Sequence, residues 1–317
     1  MRSLSAEQTS IIINQVSVFG ILMAIGFLFS SFKVVAKEAL GGISSVLINI
    51  ILPSLVFSTI ASSGATGPQI IKALPFIAFC VGTVMVLMLC GYLMAKLFRI
   101  KGSTANVFAM LNMFGNYGFL GIPLILAIID TAEAKLYLTL YAFVEQSLIW
   151  TVGVYLCSRH QKDVSIGGNL KRILNPTTAA LILSLIFVFL NIKTPNVILT
   201  ALTGLGGTSK YISLIYIGGT LASTSAAGIL KKPYILAIPA VKMIAAPLAV
   251  YTVGRMLFSQ TAALVLALIV AMPSMAITAI IAKNYGADDS VAVEAIFLTT
   301  ILSLFTIPLV SYLISLV

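Results

Sequence analysis

The residues best suited to chemistry lie within a run that has no charged side chain, residues 104–129. Inside it, residues 116–123 (NYGFLGIP) combine an amide with two glycines and a proline. Proline removes a backbone donor, and glycine unwinds at little steric cost. A helix interrupted inside lipid must satisfy its backbone through protein, water or a ligand, and the amide end of a half-helix attracts an anion. The alternative is a proline kink that only shapes packing. The pattern predicts substrate-binding residues Asn116, Tyr117, Gly118, Gly121 and Pro123.

A second interrupted run stands at the corresponding place in the other half of the chain. Residues 261–282 are also free of charge, and Ala271 and Met272 are followed there by a proline. Two broken helices at matching positions are the best pointer in a sequence to a ligand site at the middle of the bilayer. We therefore expect the same substrate site to include Pro273, Ser274 and Met275.

Three ionisable residues inside apolar runs are candidates for coupling or for balancing charge. Lys242 either balances a substrate anion or extends its long side chain to the cytoplasmic interface. Glu145 is either a proton site or a fixed partner of Lys242 or of backbone amides. Glu294 is placed at the interface, near the start of the last span. The three cysteines form no CxxC and no Cys/His cluster, so we predict no metal site and no cofactor beyond a coupling proton or sodium ion.

Composition determines which elements must position these residues. Apolar residues make up 60% of the 317 residues and charged residues 9%, with a mean hydropathy of +1.10, whereas soluble domains carry about 25% charged residues. Long continuous apolar runs in lipid indicate helices, each of about 20 residues. The predicted fold class is an all-α polytopic membrane protein with ten transmembrane helices, at 11–31, 43–62, 73–95, 104–129, 136–157, 176–192, 194–230, 234–254, 261–282 and 295–316.

Basic residues predict the orientation of these spans in the membrane. Of the 19 Lys and Arg, twelve lie in loops on one side, and Lys210 and Lys242 lie within spans. The other side holds five, namely Arg2, Lys72, Lys135, Lys193 and Arg255. The richer side is predicted to be cytoplasmic, which places both termini on the extracytoplasmic side of the cell membrane. The net charge of +10 is thereby assigned to loops beside anionic lipid and not to nucleic-acid binding.

The chain also divides into two similar halves, residues 1–173 and 174–317. In each half a basic residue and a proline open a span, a second basic residue closes it, and a helix with a central proline follows. An acidic loop and a final helix complete each half. Five spans in a half is an odd number, so the two halves must be inverted relative to each other, which is typical of transporters.

Residues 116–124 (NYGFLGIPL) and 271–285 (AMPSMAITAIIAKNY) resemble the motifs of the fourth and ninth spans in the auxin efflux carrier family. The short central loop resembles the bacterial malate and malonate permease-like branch. The resemblance implies a fold similar to bile acid sodium symporters, in which spans 1, 2, 6 and 7 form a scaffold. Spans 3–5 and 8–10 would form a mobile transport domain, with the broken helices crossing at Pro123 and Pro273.

The resemblance also implies roles for particular residues. Asn116 matches the asparagine that meets the substrate carboxylate in the family. Thr177 stands where the plant carriers have a second asparagine, a departure that argues against auxin itself as substrate. Association of two copies through the scaffold, as a homodimer in the lipid bilayer, is a further expectation.

The function expected from these features is secondary active transport of a small organic anion by elevator-type alternating access. A mono- or dicarboxylate such as malate or malonate suits the bacterial branch. The alternative is a sodium-coupled symporter of the same fold for a bile acid or sterol-like molecule. An enzyme would require a nucleophile and a base within the membrane, and a channel would require a filter motif. Transport driven by ATP would require a nucleotide-binding motif. The sequence shows none of these features.

Overall fold

A computed structural model describes residues 6–62, 64, 66–129, 131–159, 176–222 and 232–316. These residues form helices and turns, with one isolated β-bridge. Wider π-helical turns at Leu47–Ile51, Tyr117–Gly121, Ile149–Gly153 and Pro239–Ala245, and a 3-10 turn at Pro233–Leu236, join several α-helices into longer ones. The α-helices are α1 (Ala6–Ser31), α2 (Lys37–Val46), α3 (Leu52–Ala61), α4 (Gly67–Lys72), α5 (Leu74–Leu97), α6 (Gly102–Met113), α7 (Ile122–Ile128), α8 (Ala132–Leu148), α9 (Val154–Ser158), α10 (Pro176–Phe189), α11 (Asn196–Gly207), α12 (Ser209–Ala222), α13 (Ala246–Leu257), α14 (Gln260–Ala271), α15 (Ile277–Asn284) and α16 (Asp289–Ser315).

Several of these helices have the length and composition of membrane spans. Among the described residues, five are long and apolar enough to cross a bilayer, namely Glu38–Ala61, Leu74–Leu97, Glu133–Ser158, Pro233–Leu257 and Asp289–Ser315. Shorter apolar helices occupy Ser17–Ser31, Pro176–Phe189 and Gln260–Ala271. Helices suit this environment because every backbone group is satisfied within the segment. The chain is therefore a multi-pass membrane protein.

The helices are arranged with the two interrupted ones at the centre. Residues 262–271 of α14 are all buried, as are residues 106–113 of α6. By contrast, α5 exposes Val86, Leu89 and Leu93 by 59%, 55% and 56%. An exposed apolar face on a long helix suits lipid, so α5 lies at the perimeter while α6 and α14 form the core that carries the site.

Two sets of helices pack closely within themselves. In one set α1 packs against α12, and α3 packs against α10 and α11. In the other set α5 packs against α6, and α13 packs against α14. The contact between α1 and α12 brings two backbones together, because a Cβ atom at Gly26 would lie 2.0 Å from the carbonyl oxygen of Ile215. Gly218 makes the reciprocal contact with Met23, so glycine is required at both crossing points.

The last helix begins earlier than the sequence analysis predicted, at Asp289 instead of residue 295. Asp288 caps it by accepting a hydrogen bond from the amide of Val291, and it also accepts one from Thr104 Oγ1 at 2.7 Å. Burial raises the pKa of Asp288, but the hydrogen bonds from Thr104, Ser290 and Val291, together with the charge of Lys232, outweigh it and hold the pKa below its ordinary value. Glu294 therefore lies inside the helix and is 1% exposed, and its place at the membrane interface stays a prediction. Its carboxylate pairs with Lys232 Nζ at 2.7 Å.

Two other predicted boundaries differ from the structure. α10 ends at Phe189, short of residue 192, because the chain turns through Asn191, whose φ of 53° is incompatible with a continuing helix. The predicted span 194–230 is divided into α11 and α12 by a turn at Thr208. Residues 223–231, and the basic loop at 160–175 used to assign orientation, lie outside the described residues.

The contact between α1 and α12 gives a direct test of the packing. Replacing Gly26→Ala places a methyl group against the backbone of α12, so the helices must separate and the stability should fall by about 1–3 kcal/mol. The matched control is Gly20→Ala in the same helix, where a Cβ atom meets nothing within 4 Å. Thermal unfolding in detergent should show a lower melting temperature for the first variant alone. Equal melting temperatures for both variants would contradict this packing.

Candidate functional site

Two helices are interrupted near the centre of the molecule, and their interruptions meet. The chain is extended between α6 and the π-helical turn at Tyr117–Gly121, with φ −111° and ψ 127° at Phe114. It is extended again between α14 and α15. Gly115 and Ser274 form an antiparallel β-bridge between the two extended segments. Each interrupted helix therefore contacts the other at its extended segment, and helical structure resumes after that segment.

Backbone hydrogen bonds close this crossing. The amide of Asn116 donates to the carbonyl oxygen of Pro273 at 2.7 Å, and the amide of Met275 donates to that of Phe114 at 3.1 Å. A backbone group left without a partner in lipid costs several kcal/mol. The two breaks thus satisfy each other, and neither could persist without the other.

The crossing lies at this bridge, beside Pro273 as the family resemblance implied, but away from Pro123. Pro273 takes part through its carbonyl, and Met272 before it is extended (ψ 148°) because proline disfavours a helical residue before it. Pro123 lies beyond the π-helical turn, within α7. Glycine is needed at the bridge instead, because a Cβ atom at Gly115 would lie 2.7 Å from the carbonyl oxygen of Ile269.

Lys242 holds one end of the broken helix. It lies in the π-helical stretch Pro239–Ala245 and is fully buried. Its Nζ donates to the carbonyl oxygen of Met272 at 2.5 Å and, at 3.5 Å, to that of Val270. A cation at the carboxyl end of a helix offsets the partial negative charge of the terminal carbonyls. The alternative that Lys242 extends to the cytoplasmic interface is wrong, since its Nζ is buried and donates hydrogen bonds to carbonyls beside the crossing.

A cavity of about 310 Å³ adjoins the crossing. Several residues predicted for the site line it, namely Asn116, Tyr117, Gly118, Glu145 and Met275. A smaller cavity of about 180 Å³ shares Thr59, Tyr117 and Ile122 with the first and reaches the exposed Lys135. The two cavities together lead from the crossing towards the surface.

Among the described residues, three polar side chains of the lining have buried atoms without a hydrogen-bond partner, those of Asn116, Glu145 and Ser209. Asn116 is 2% exposed, and its Nδ2 makes no hydrogen bond to any described residue. Glu145 is fully buried, and neither carboxylate oxygen has a hydrogen-bond partner in the described part of the chain. Lys242 acts on Glu145 electrostatically, yet the fixed pairing with Lys242 or with backbone amides that was one alternative is not observed. An unmet donor and an unmet acceptor in one cavity are typical of a ligand site.

The backbone supplies a further acceptor at Gly118. In the π-helical turn the amide of Ile122 donates to the carbonyl of Tyr117, and the amide of Gly121 donates to that of Asn116. The next residue, Pro123, has no N–H, so the helix provides no donor for the Gly118 carbonyl. Gly118 itself lines the cavity and is exposed there.

Thr177 is not among the residues that line this cavity. Its Oγ1 donates to the carbonyl oxygen of Ile48 at 3.1 Å, in another helix. The amide of Leu52 donates to Leu47 in the π-helical register, and the next residue, Pro53, has no N–H to offer Ile48. Thr177 therefore replaces the missing donor and stabilises a helix.

Other predicted residues also serve packing or the crossing. Ser274 Oγ donates to the carbonyl oxygen of Leu111 at 2.9 Å, and the amide of Ser274 donates to Thr299 Oγ1 at 3.2 Å. Gly121 packs against Met272, whose Cγ would lie 3.2 Å from an added Cβ atom. These residues position the cavity without lining it.

The sequence analysis missed the contribution of the turn between α11 and α12. Lys210 lines the cavity, with its Nζ 5.4 Å from the centre of the Phe19 ring. Gly206 and Ser209 line it from the same turn, together with Gln146 beside Glu145 on α8. The available signal was a pair of glycines followed by a lysine inside an apolar run.

Sequence similarity to known proteins covers the whole site. A protein family described as "Membrane transport protein" matches the chain at residues 10–169 and 164–311. An uncharacterized transporter of Methanocaldococcus jannaschii is 27% identical over 303 residues, which cover 91% of this chain and 94% of that protein. The family match includes both interrupted helices.

The position of Thr177 gives a prediction about stability. Thr177→Val keeps the shape of the side chain but leaves the Ile48 carbonyl without a donor, so the protein should lose about 1–3 kcal/mol of stability. Thr177→Ser retains the hydroxyl and is the control. Unfolding measurements in detergent should order the proteins as wild type, Ser and then Val. A Val variant as stable as the wild type would show that this hydrogen bond is not needed.

Proposed function

Because the chain belongs to the membrane transport protein family, we propose that it is a secondary active transporter of a small organic anion. This family is the auxin efflux carrier family that the motifs of the chain resemble. The observation that carries the proposal is the side-chain Nδ2 of Asn116, a cavity-lining residue beside the crossing, which has no hydrogen-bond partner among the described residues. We infer a mono- or dicarboxylate such as malate or malonate as substrate.

The polar groups of the cavity favour an anion. The Nδ2 of Asn116 offers two N–H donors, and Lys210 is a cationic residue of the lining. Hydrogen bonds to a charged group are roughly twice as strong as those between neutral groups. The Gly118 carbonyl adds an acceptor, which suits a hydroxyl or a protonated group on the same ligand.

The size of the cavity favours a small molecule. A volume of about 310 Å³ corresponds to roughly ten waters at their share of liquid volume. A carboxylate of three or four carbons fits this space, whereas a four-ring sterol needs more. We therefore prefer the carboxylate to the sterol-like alternative.

The packing supports movement of one set of helices against the other. The pairs α1–α12, α3–α10 and α3–α11 belong to the predicted scaffold, and the pairs α5–α6 and α13–α14 to the predicted transport domain. We propose ten spans in two inverted repeats, residues 1–173 and 174–317, with elevator-type alternating access. With both termini outside, the smaller cavity at Lys135 opens to the extracytoplasmic side. The scaffold would form the homodimer contact.

Ligand binding tests the proposal at Asn116. Asn116→Ala should weaken binding of malate or malonate roughly ten- to a hundredfold, because a hydrogen bond to a charged partner contributes about 1.5–3 kcal/mol. Asn49→Ala, whose side chain is exposed and bonded within its own helix, is the matched control. Thermal stabilisation of the purified protein by a panel of malate, malonate and acetate measures this, because a ligand that binds the folded state raises the melting temperature.

Flux into proteoliposomes separates the remaining alternatives. Saturable uptake of a carboxylate that Asn116→Ala abolishes and Asn49→Ala retains supports the proposed function. Absence of saturable flux or stabilisation with the whole panel would contradict it. Uptake of a bile acid that stops when choline replaces sodium would instead favour the sodium-coupled alternative.

A further inference from the structure

We propose that Glu145 carries one proton with each carboxylate, so that the anion binds to the protonated site and the two cross the membrane together. This inference rests on the proposed function and adds the coupling ion to it. It depends on three observations at the cavity: the position of Glu145, the absence of protein donors to its carboxylate, and the identity of the groups around it.

Glu145 lies inside the long apolar helix Glu133–Ser158 and faces the same cavity as Asn116. It is fully buried, and neither carboxylate oxygen receives a hydrogen bond from a described residue. Structural buried carboxylates are normally paired or accept several hydrogen bonds, because an isolated buried charge is costly. Glu145 can meet its requirement only by binding a proton or by contact with whatever fills the cavity.

The groups around Glu145 do not fix its charge. Lys242 attracts it through space, but the hydrogen bonds of that ammonium go to the carbonyls of Met272 and Val270. Lys210 lines the same cavity from α12. Tyr117 and Tyr141 pack edge to face with ring centres 5.1 Å apart and contribute neutral phenols.

The helices packed against α8 add few titratable groups. α5 brings Cys80, a buried thiol that is neutral in this setting. In their sequences α3, α7, α10 and α14, which also contact α8, contain no titratable side chain. Glu145 is thus the carboxyl group whose protonation state the cavity contents decide.

Coupling follows from like charges in one small space. In the empty cavity Lys242 helps to balance the charge of an ionised Glu145. A carboxylate that enters places a second negative charge beside the first, which is strongly unfavourable at low effective dielectric. Protonation removes the conflict and turns Glu145 into an O–H donor beside the amide of Asn116.

The proton step involves only the O–H bond. A hydronium ion on the outer side gives its proton to a Glu145 oxygen and leaves water. After the site opens inward and the anion departs, the proton passes from Glu145 to water and regenerates the carboxylate. Because one proton binds with each anion, the dissociation constant should rise roughly tenfold per pH unit wherever the empty site is deprotonated.

Binding of malate, malonate and acetate, measured in sodium-free buffer from about pH 6 to about pH 8, tests this linkage. The wild type should bind more weakly as pH rises. Glu145→Gln, which mimics the protonated group, should bind with the same affinity across the range. In proteoliposomes it should keep exchange of labelled for unlabelled anion but lose accumulation driven by a proton gradient. Glu133→Gln, an exposed carboxyl on the same helix, should behave as the wild type.

Each other outcome decides against part of the account. Binding by the wild type that is independent of pH, or that requires sodium, overturns the proton inference and leaves the proposed function intact. Absence of binding by all three anions overturns both. Should Glu145→Gln fail to fold, Glu145→Asp retains a titratable group and must preserve the pH dependence; a pH-independent Asp variant would overturn the inference.

Discussion

The structure depends on hydrogen bonds between the backbones of two interrupted helices. Gly115 and Ser274 pair where neither α6 nor α14 continues, and the flanking amides of Asn116 and Met275 find carbonyls on the opposite segment. Lys242 completes the arrangement by covering the carbonyl of Met272. In lipid no water is present to satisfy these groups, so the pairing determines where both helices are interrupted.

The candidate ligand site consists of polar groups beside the crossing that the crossing itself does not pair. Pairing uses the backbone amide of Asn116, but the side-chain Nδ2 of Asn116 and the carboxylate of Glu145, which line the same cavity, have no hydrogen-bond partner among the described residues. Burial of these two groups is unfavourable in the empty protein. A ligand that forms hydrogen bonds with both groups would recover that free energy. This is a physical reason for a ligand to bind in this cavity instead of along the apolar helices.

The sequence predicted the site through local features and missed what depends on distant partners. Glycine and proline in charge-free runs indicated both breaks, and Asn116 was the conspicuous polar residue beside one of them. The crossing point could not be read because it is fixed by the approach of Gly115 to α14. The contact of Thr177 with Ile48 and the position of Lys210 in the cavity lining could not be read because both depend on residues far away in sequence. The early start of α16 was readable from the cap that Asp288 provides for Val291.

A recurring local pattern accounts for part of what was missed. Pro53, Pro123 and Pro247 each stand two residues after a π-helical turn, where the missing N–H leaves one carbonyl without an amide in that register. Thr177 fills this vacancy at Ile48, whereas at Gly118 the carbonyl lies beside the cavity. The same backbone feature therefore serves packing in one place and the ligand site in another.

An experimental structure determined with a bound carboxylate such as malate tests the central claim most directly. The account predicts helices interrupted at Gly115 and Ser274, with the anion between Asn116 Nδ2 and the carboxyl of Glu145. Continuous helices through both positions, or a ligand bound away from the crossing, would contradict it.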